Sequence, residues 1–343
     1  MNIFTQALHA DYKRFFQNIK EYAKKENKNA VLMTADVALC SVFLGSALTD
    51  YFNYEFYKHP WKKRKEFAVV KTQDRFYQLV NPTKYKKTFT VKPNFLREFA
   101  EYIGRDWVLP TGENFEEFNA FLDKHDTFMC KPVDGLGGGG IYKSNLEKAG
   151  DRKAFYDKLI AERYFLEEVI KQCDALAAFN PSSVNSIRVM THNIEDNPTI
   201  FFCSLRVGNG NTVVDNFHSG GMSAVVDNET GVILDAAIDK SMRRFEKHPV
   251  SGIEFKGFQI PCWPEVIEMV HAACRKHPEM TVIGWDVCIT DNGPILIEGN
   301  RRPGFDMVQV LLDKPQQYVL DDITAKFLAA QKKKEAQEAQ ETK

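Results

Sequence analysis

The sequence predicts an α+β protein: a mainly helical N-terminal region followed by lobes of mixed strands and helices. Three observations carry this. The first 88 residues show helical apolar spacing. From Phe89 onward, β-branched and aromatic runs alternate with helical patterns, as in an α+β fold. The segment Gly284–Gly304 reads as two adjacent strands joined by Asp291-Asn292-Gly293, a turn sequence.

The N-terminal helices are expected at 6–25, 30–59 and 60–80, with breaks near Asn27, Pro60 and Pro82. Ala30 to Leu48 is apolar but holds Thr34, Asp36, two serines and Gly45. It therefore reads as a buried amphipathic helix and not a membrane span. A basic, aromatic cluster follows: Lys58, His59, Trp61, Lys62, Lys63, Arg64 and Lys65, then Lys84, Lys86 and Lys87. Such a run is ordinarily a solvated face. The sharper reading is a dock for an anionic carrier or a membrane surface, where each lysine gains about 1 kcal/mol.

Phe128, Met129 and Cys130 read as a strand delivering Lys131, and Phe115–Lys124 and Arg152–Ile160 as helices. Between Gly135 and Gly140, five of six residues are glycine: Gly135, Gly137, Gly138, Gly139 and Gly140. Bare backbone can approach a phosphate chain and point several N–H groups at it. A dinucleotide fingerprint requires a following helix, but Ile141-Tyr142-Lys143 reads as a strand. No Gly-Lys-Ser/Thr closes a Walker loop either. A glycine hairpin between strands, flanked by Lys131 and Lys143, fits a flap over nucleotide phosphates, with a flexible surface loop as the plain alternative. Arg188 and Arg206 are cations on later strands. Trp263–Lys276 is a helix opened by Pro264, preceded by a loop-rich linker at 248–264. Leu320–Ala330 is a further helix, and the charged residues 329–343 are expected to fray.

In the late hairpin, Glu298 and Asn300 share a strand face. A three-residue loop, Asp291 to Gly293, sets Asp286 opposite Glu298 and Gly284 opposite Asn300. It needs Gly293 at positive φ. A two-residue Asn-Gly turn instead sets Asp286 opposite Gly299 and separates the carboxylates. The first register gathers two carboxylates and an amide oxygen, a hard set suited to Mg²⁺ beside phosphates.

Composition narrows the class. The 343 residues include 44% hydrophobic and 12% aromatic side chains, enough for substantial cores. With 45 basic and 46 acidic residues there is no bulk electrostatic case for nucleic acid. Seven cysteines form no C-x-x-C pair and read as reduced filler. The first residues lack the basic start and apolar core of a signal peptide, and no transmembrane segment is predicted. A cytoplasmic protein, at most peripheral at the inner membrane surface, is expected.

Lysine on a strand, a glycine flap, then Asp…Glu-x-Asn late in the chain resembles the ATP-grasp superfamily. The stretches FLEEVIKQCDALAAFNPSSVNSIRVMT (165–191), VVDNFHSGGMSAVVDNETG (213–231) and GWDVCITDNGPILIEGN (284–300) resemble its sugar-transfer-associated family, related to α-L-glutamate ligases. The likeness covers roughly residues 85–310. It implies two α/β lobes clasping ATP, at 89–165 with the flap and 166–328 with the metal site. Ahead of them lies the helical region 1–88, where many relatives instead begin with a doubly wound domain.

The resemblance implies site roles as well. Lys92 and Lys131 would contact ATP phosphates, Glu167 and Glu168 would lie at the adenine hinge, and Asp174 near the ribose. Asp286, Glu298 and Asn300 would hold Mg²⁺, with Mn²⁺ as a substitute. Asn216, His218, Ser219, Gly220 and Gly221, in NFHSGG, would line the phosphate and acyl-phosphate site. Beside such phosphate machinery, Arg188 reads as a clamp on transferring phosphate and Arg206 as a cation on the substrate side, against the plain reading of arginines exposed at a sheet edge; Arg301 and Arg302 either bind the acceptor carboxylate or are loop charges. The implied activity is ATP-dependent carboxylate–amine ligation through an acyl phosphate, in cell-surface polysaccharide biosynthesis. Its substrates would be a small carboxylate and an amine, or a glycan or lipid-linked carrier, handled by a monomer or a homodimer. The alternatives are an ATP-grasp kinase and a non-catalytic nucleotide-binding partner of glycosyltransferases.

Overall fold

The computed structural model describes residues 12–135, 139–210 and 220–341. The chain divides into two compact units, Met1–Phe76 with Gly304–Asp322, and Tyr77–Pro303 with Ile323–Lys343.

The first unit is helical: α1 (Tyr12–Lys25), α2 (Ala30–Phe43), α3 (Leu48–Asn53) and α4 (Trp61–Arg64). The helix α5 (Val70–Val80) follows. The single helix expected over 30–59 is broken twice, because Gly45 (φ 74°) and Glu55 (φ 48°) adopt left-handed backbone that no helix tolerates. Asn29 caps α2 by accepting from the N–H groups of Val31 (2.9 Å) and Leu32 (3.2 Å). Met33, Val37 and Cys40 of α2 pack on Ile19, Tyr51 and Phe56. The expectation of a buried α2 is wrong for its other face: Val31, Leu32, Leu39, Val42 and Phe43 are exposed.

Asp50 organises this unit. One of its carboxylate oxygens accepts from the N–H of Ala47 (2.8 Å) and of Val70 (3.0 Å), so it starts α3 and anchors α5. Burial pushes its pKa up to about 6, against the hydrogen bonds that lower it. A carboxyl that binds its proton more tightly when folded stabilises the fold fully below about pH 4, and that contribution is lost as pH rises through 6. Asp50→Asn keeps an acceptor oxygen without the charge. We expect the variant to melt higher than the parent at pH 8, by an amount on the order of 2 kcal/mol, and to match it more closely at pH 4.5. Melting curves across that range check this; an equal gap at both pH values would contradict it.

The second unit holds two antiparallel sheets. The smaller, in the order β1-β4-β2-β3, comprises β1 (Trp107–Val108), β2 (Thr127–Pro132), β3 (Tyr142–Asn145) and β4 (Tyr164–Glu168). Helices Phe115–Lys124 and Arg152–Glu162 cover it through Phe118, Leu122, Tyr156 and Leu159. The larger sheet has the order β11-β10-β5-β6-β7-β8-β9. Its site-bearing strands are β5 (Ile187–Ile194), β6 (Asn197–Val207), β7 (Met222–Val226), β10 (Val282–Thr290) and β11 (Gly293–Asn300), with β8 (Ala237–Asp239) and β9 (Arg244–Phe245) at the far edge. Helix Trp263–Lys276 packs Val266, Val270 and Ala273 into the core that takes in Ile283, Trp285, Val287 and Ile289 of β10. The other face of β10, with Gly284 and Asp286, is left for chemistry.

The last helix, Gln317–Glu341, runs through the residues expected to fray. Lys, Glu, Ala and Gln are strong helix formers, so propensity outweighs low complexity there. Among the described residues no helix is long and apolar enough to cross a membrane. All seven cysteines are free thiols.

Candidate active site

The site begins with the β10–β11 hairpin. Pairing closes at Thr290↔Gly293, so the loop is two residues, Asp291 and Asn292, and not the three expected. Gly293 still carries the positive φ, at 106°. Continued without interruption, this register would set Asp286 opposite Ile297. A β-bulge prevents that: Val287 pairs with Leu296 while Asp286 pairs with Glu298, leaving Ile297 as the extra residue. Asp286 thus faces Glu298, and Gly284 faces Asn300, as the metal reading requires. The expected pairing is right, but a bulge produces it.

Arg105, absent from the sequence reading, fixes that bulge. Its buried guanidinium donates to the carbonyls of Leu296 (2.7 Å), Ile297 (3.3 Å) and Ile103 (2.8 Å). It also pairs with Glu167 at 2.8 Å. The second oxygen of Glu167 accepts from Lys131. One buried carboxylate therefore joins the strand before the glycine-rich segment to the irregularity that orients Glu298. Burial disfavours the Glu167 charge, but Arg105 and Lys131 outweigh it and hold the carboxyl below its ordinary range. An isolated Arg in a Gly-Arg-Asp loop gives no periodic or motif signal by which to find it.

Across the larger sheet a polar row forms. Ser204 pairs with Arg188, Arg188 with Asp286, and Asp286 with Glu298, all on one face. Arg188 grips Asp286 at both oxygens (2.5 and 3.2 Å), and Arg206 adds a bond of 2.7 Å. Ser186 Oγ accepts from Arg206 as well, at 2.9 Å. Burial pushes the Asp286 carboxyl up, yet the two guanidiniums prevail and keep it low. Glu298 goes the other way: burial and the neighbouring Asp286 charge raise it, against a bond from Asn300 Nδ2 at 3.1 Å. Gly284 is required here: a Cβ would lie 2.5 Å from Pro303 Cβ and 3.3 Å from Arg188 Cδ.

Lys92 closes the group. Its ammonium donates to the Gly135 carbonyl at 3.1 Å, at the flap's start. Burial lowers its pKa, Lys131 adds to the lowering, and Glu298, Asp134 and Glu167 partly offset it. Residues from four separate segments therefore share one electrostatic neighbourhood. Gly140 sits at φ 78°, its carbonyl accepting from Tyr164 Oη at 3.0 Å. Gly139 lies beside it in a turn.

Other expected site residues lie apart from this group. Glu168 points away from Glu167, as adjacent strand residues must, and accepts the N–H of Asp106 (3.0 Å). Asp106, His125 and Glu168 are, among the described residues, the one triad of acidic or histidine groups with mutually close ligand atoms. Its charge is already met by Lys124 and His125, which lower the Asp106 pKa. Asp174 is exposed in the first turn of a short helix. Gly220 adopts φ 101°, and its carbonyl accepts from Asn209 at 2.8 Å; Gly221 is buried just before β7. Arg301 is half-buried, and Asn81 holds its backbone carbonyl at 2.6 Å. Arg302 is exposed. Gly137, Gly138, Asn216, His218 and Ser219 lie outside the described residues.

The arrangement suits a divalent cation and a polyphosphate. Asp286, Glu298 and Asn300 offer hard oxygens on one face, and the raised Glu298 marks a carboxylate pair that a cation would relieve.

The model of the family described as sugar-transfer associated ATP-grasp matches residues 52–323. Among solved structures, the ATP-grasp ligase PsnB complexed with minimal precursor, Mg and ADP is 13% identical, with 82% of this chain and 73% of that chain covered and a TM-score of 0.44. The D-alanine–D-alanine ligase from Coxiella burnetii is 11% identical over 77% of this chain and 64% of its own, at a TM-score of 0.45. A glutamine synthetase from Thermotoga maritima is 33% identical over 100 residues, 27% of this chain. That match spans only 22% of the synthetase.

Proposed function

Because this chain belongs to the sugar-transfer associated ATP-grasp family, we propose that it is an ATP-dependent carboxylate–amine ligase acting through an acyl phosphate, in the making or modification of a cell-surface polysaccharide. One observation carries the chemistry: Asp286 faces Glu298 on the same strand face as Asn300.

In this reading Lys92 and Lys131 bind the ATP phosphates, and Glu167, itself held by Arg105, keeps Lys131 aimed. Adenine lies against the strand end at Glu167 and Glu168, with Asp174 toward the ribose. Asp286, Glu298 and Asn300 would hold Mg²⁺, which neutralises charge on the phosphate chain when bound. Arg188 and Arg206 stabilise charge on the phosphoryl group in transfer, a step that depends on positioning and electrostatics. The substrate carboxylate attacks the γ-phosphorus and ADP leaves. An amine then attacks the acyl carbon and phosphate leaves. Asn216, His218, Ser219, Gly220 and Gly221 line the acyl-phosphate side, and Arg301 and Arg302 receive the acceptor's negative charge.

The test is product analysis with amino acids and nucleotide sugars offered singly and in pairs, at Mg²⁺ and ATP. A ligase forms ADP and free phosphate with a matched pair and yields a condensed product by mass spectrometry. A phosphorylated product without free phosphate would make the protein a kinase and overturn the ligase reading.

A further inference from the structure

Helix α2 is apolar on both faces. Met33, Val37 and Cys40 serve the core, but the solvent-facing positions 31, 32, 35, 38, 39, 42 and 43 are apolar too. They recur at the spacing of a second helical stripe. Val31 is 77% exposed, Leu32 70%, Val42 70% and Phe43 71%. The helix's single charge, Asp36, is turned to Arg64 (2.6 Å) and Tyr51 (2.8 Å), so it does not interrupt the stripe. A contiguous exposed face of large apolar side chains marks an interaction surface.

What surrounds the face identifies its occupant. Trp61 is exposed and packs edge-on against Phe43, at 6.4 Å between ring centroids and 78° between planes. Directly after it come Lys62, Lys63, Arg64 and Lys65. Lys63 is balanced by Glu66 and Arg64 by Asp36, but among the described residues neither Lys62 nor Lys65 has an ion-pair partner. The compact unit that carries the face has fourteen basic and twelve acidic side chains, so its basic excess is local to the run 62–65. An apolar helical face, an amphipathic ring at its end and unbalanced lysines beside that ring are the parts of an interfacial membrane anchor. At 14 residues, about 21 Å, the helix is too short to span a bilayer and lies in the plane instead.

We propose that this face docks on an anionic lipid bilayer, with α2 and Trp61 in the acyl boundary and Lys62 and Lys65 at the headgroups. This goes beyond the ligase reading, since it concerns neither the nucleotide nor the reaction.

Sedimentation of the full chain with vesicles tests it, comparing phosphatidylcholine alone with phosphatidylcholine mixed with phosphatidylglycerol. The protein should partition onto the anionic vesicles and come off as salt rises. The double change Val42→Ser and Phe43→Ser should reduce partitioning by at least about tenfold at every salt concentration. Lys62→Glu with Lys65→Glu should abolish the preference for the anionic vesicles. Both variants should keep the parent's helical circular-dichroism signal and melting curve, which report that the helical unit is folded. The proposal is overturned by a parent that stays in solution with anionic vesicles, or by undiminished partitioning of the Val42→Ser, Phe43→Ser variant. It is also overturned by a homodimer in light scattering that Phe43→Ser dissolves, since the face would then belong to a second copy.

Discussion

Replacing Lys131 with alanine should lower ATP turnover by on the order of 10²–10³-fold while leaving the fold in place. The ammonium stands on β2 just before the glycine segment and is aimed by Glu167. Its loss removes a preorganised cation from a site where charge stabilisation does most of the work. The fold survives because Glu167 keeps its pair with Arg105 at 2.8 Å. ADP formation and a melting curve, measured together, separate the two effects. Unchanged turnover in a folded Lys131→Ala protein would remove this lysine from the phosphate site.

Arg105→Met should be the most destabilising single change near the site, at about 3–5 kcal/mol. The methionine keeps apolar bulk but strands the carbonyls of Ile103, Leu296 and Ile297. It also leaves buried Glu167 with one cation in place of two. A loss of bulge definition should then weaken MgADP binding, because Glu298 no longer holds its place opposite Asp286. The double change with Glu167→Gln should cost less than the sum of the two single penalties, since both remove the same Arg105–Glu167 pair. Chemical denaturation of the three variants gives the coupling. A penalty below about 1 kcal/mol for Arg105→Met would mean that the bulge is held by the strands alone.

Local signals were the legible part of this fold. Helices Phe115–Lys124 and Trp263–Lys276 match their expected bounds, because each pairs an apolar stripe with a clear start: acidic residues in the first turn, or Pro264. Ligand chemistry points to the register that pairs Asp286 with Glu298, and a three-residue loop is the simplest way to reach it. The chain instead uses a shorter loop and an inserted Ile297, and the insertion depends on a guanidinium nearly 200 residues away in sequence. No local rule reads such a partner. The same limit applies to α2: an apolar helix looks buried on sequence alone, and only its neighbours reveal a face left open. In the C-terminal helix the error ran the other way, with low complexity mistaken for lack of structure where helix propensity decides.

In the proposed site, Asp286, Glu298 and Asn300 hold the metal of a bound nucleotide. Calorimetric titration of MgADP into the parent and into Glu298→Gln tests it most directly. Glutamine preserves the size of the side chain and removes its charge, and the bond from Asn300 at 3.1 Å can persist. The account predicts at least a tenfold weaker affinity for MgADP in the variant, and little change for ADP titrated without Mg²⁺ in the presence of a chelator. Equal MgADP affinity in parent and variant would contradict it.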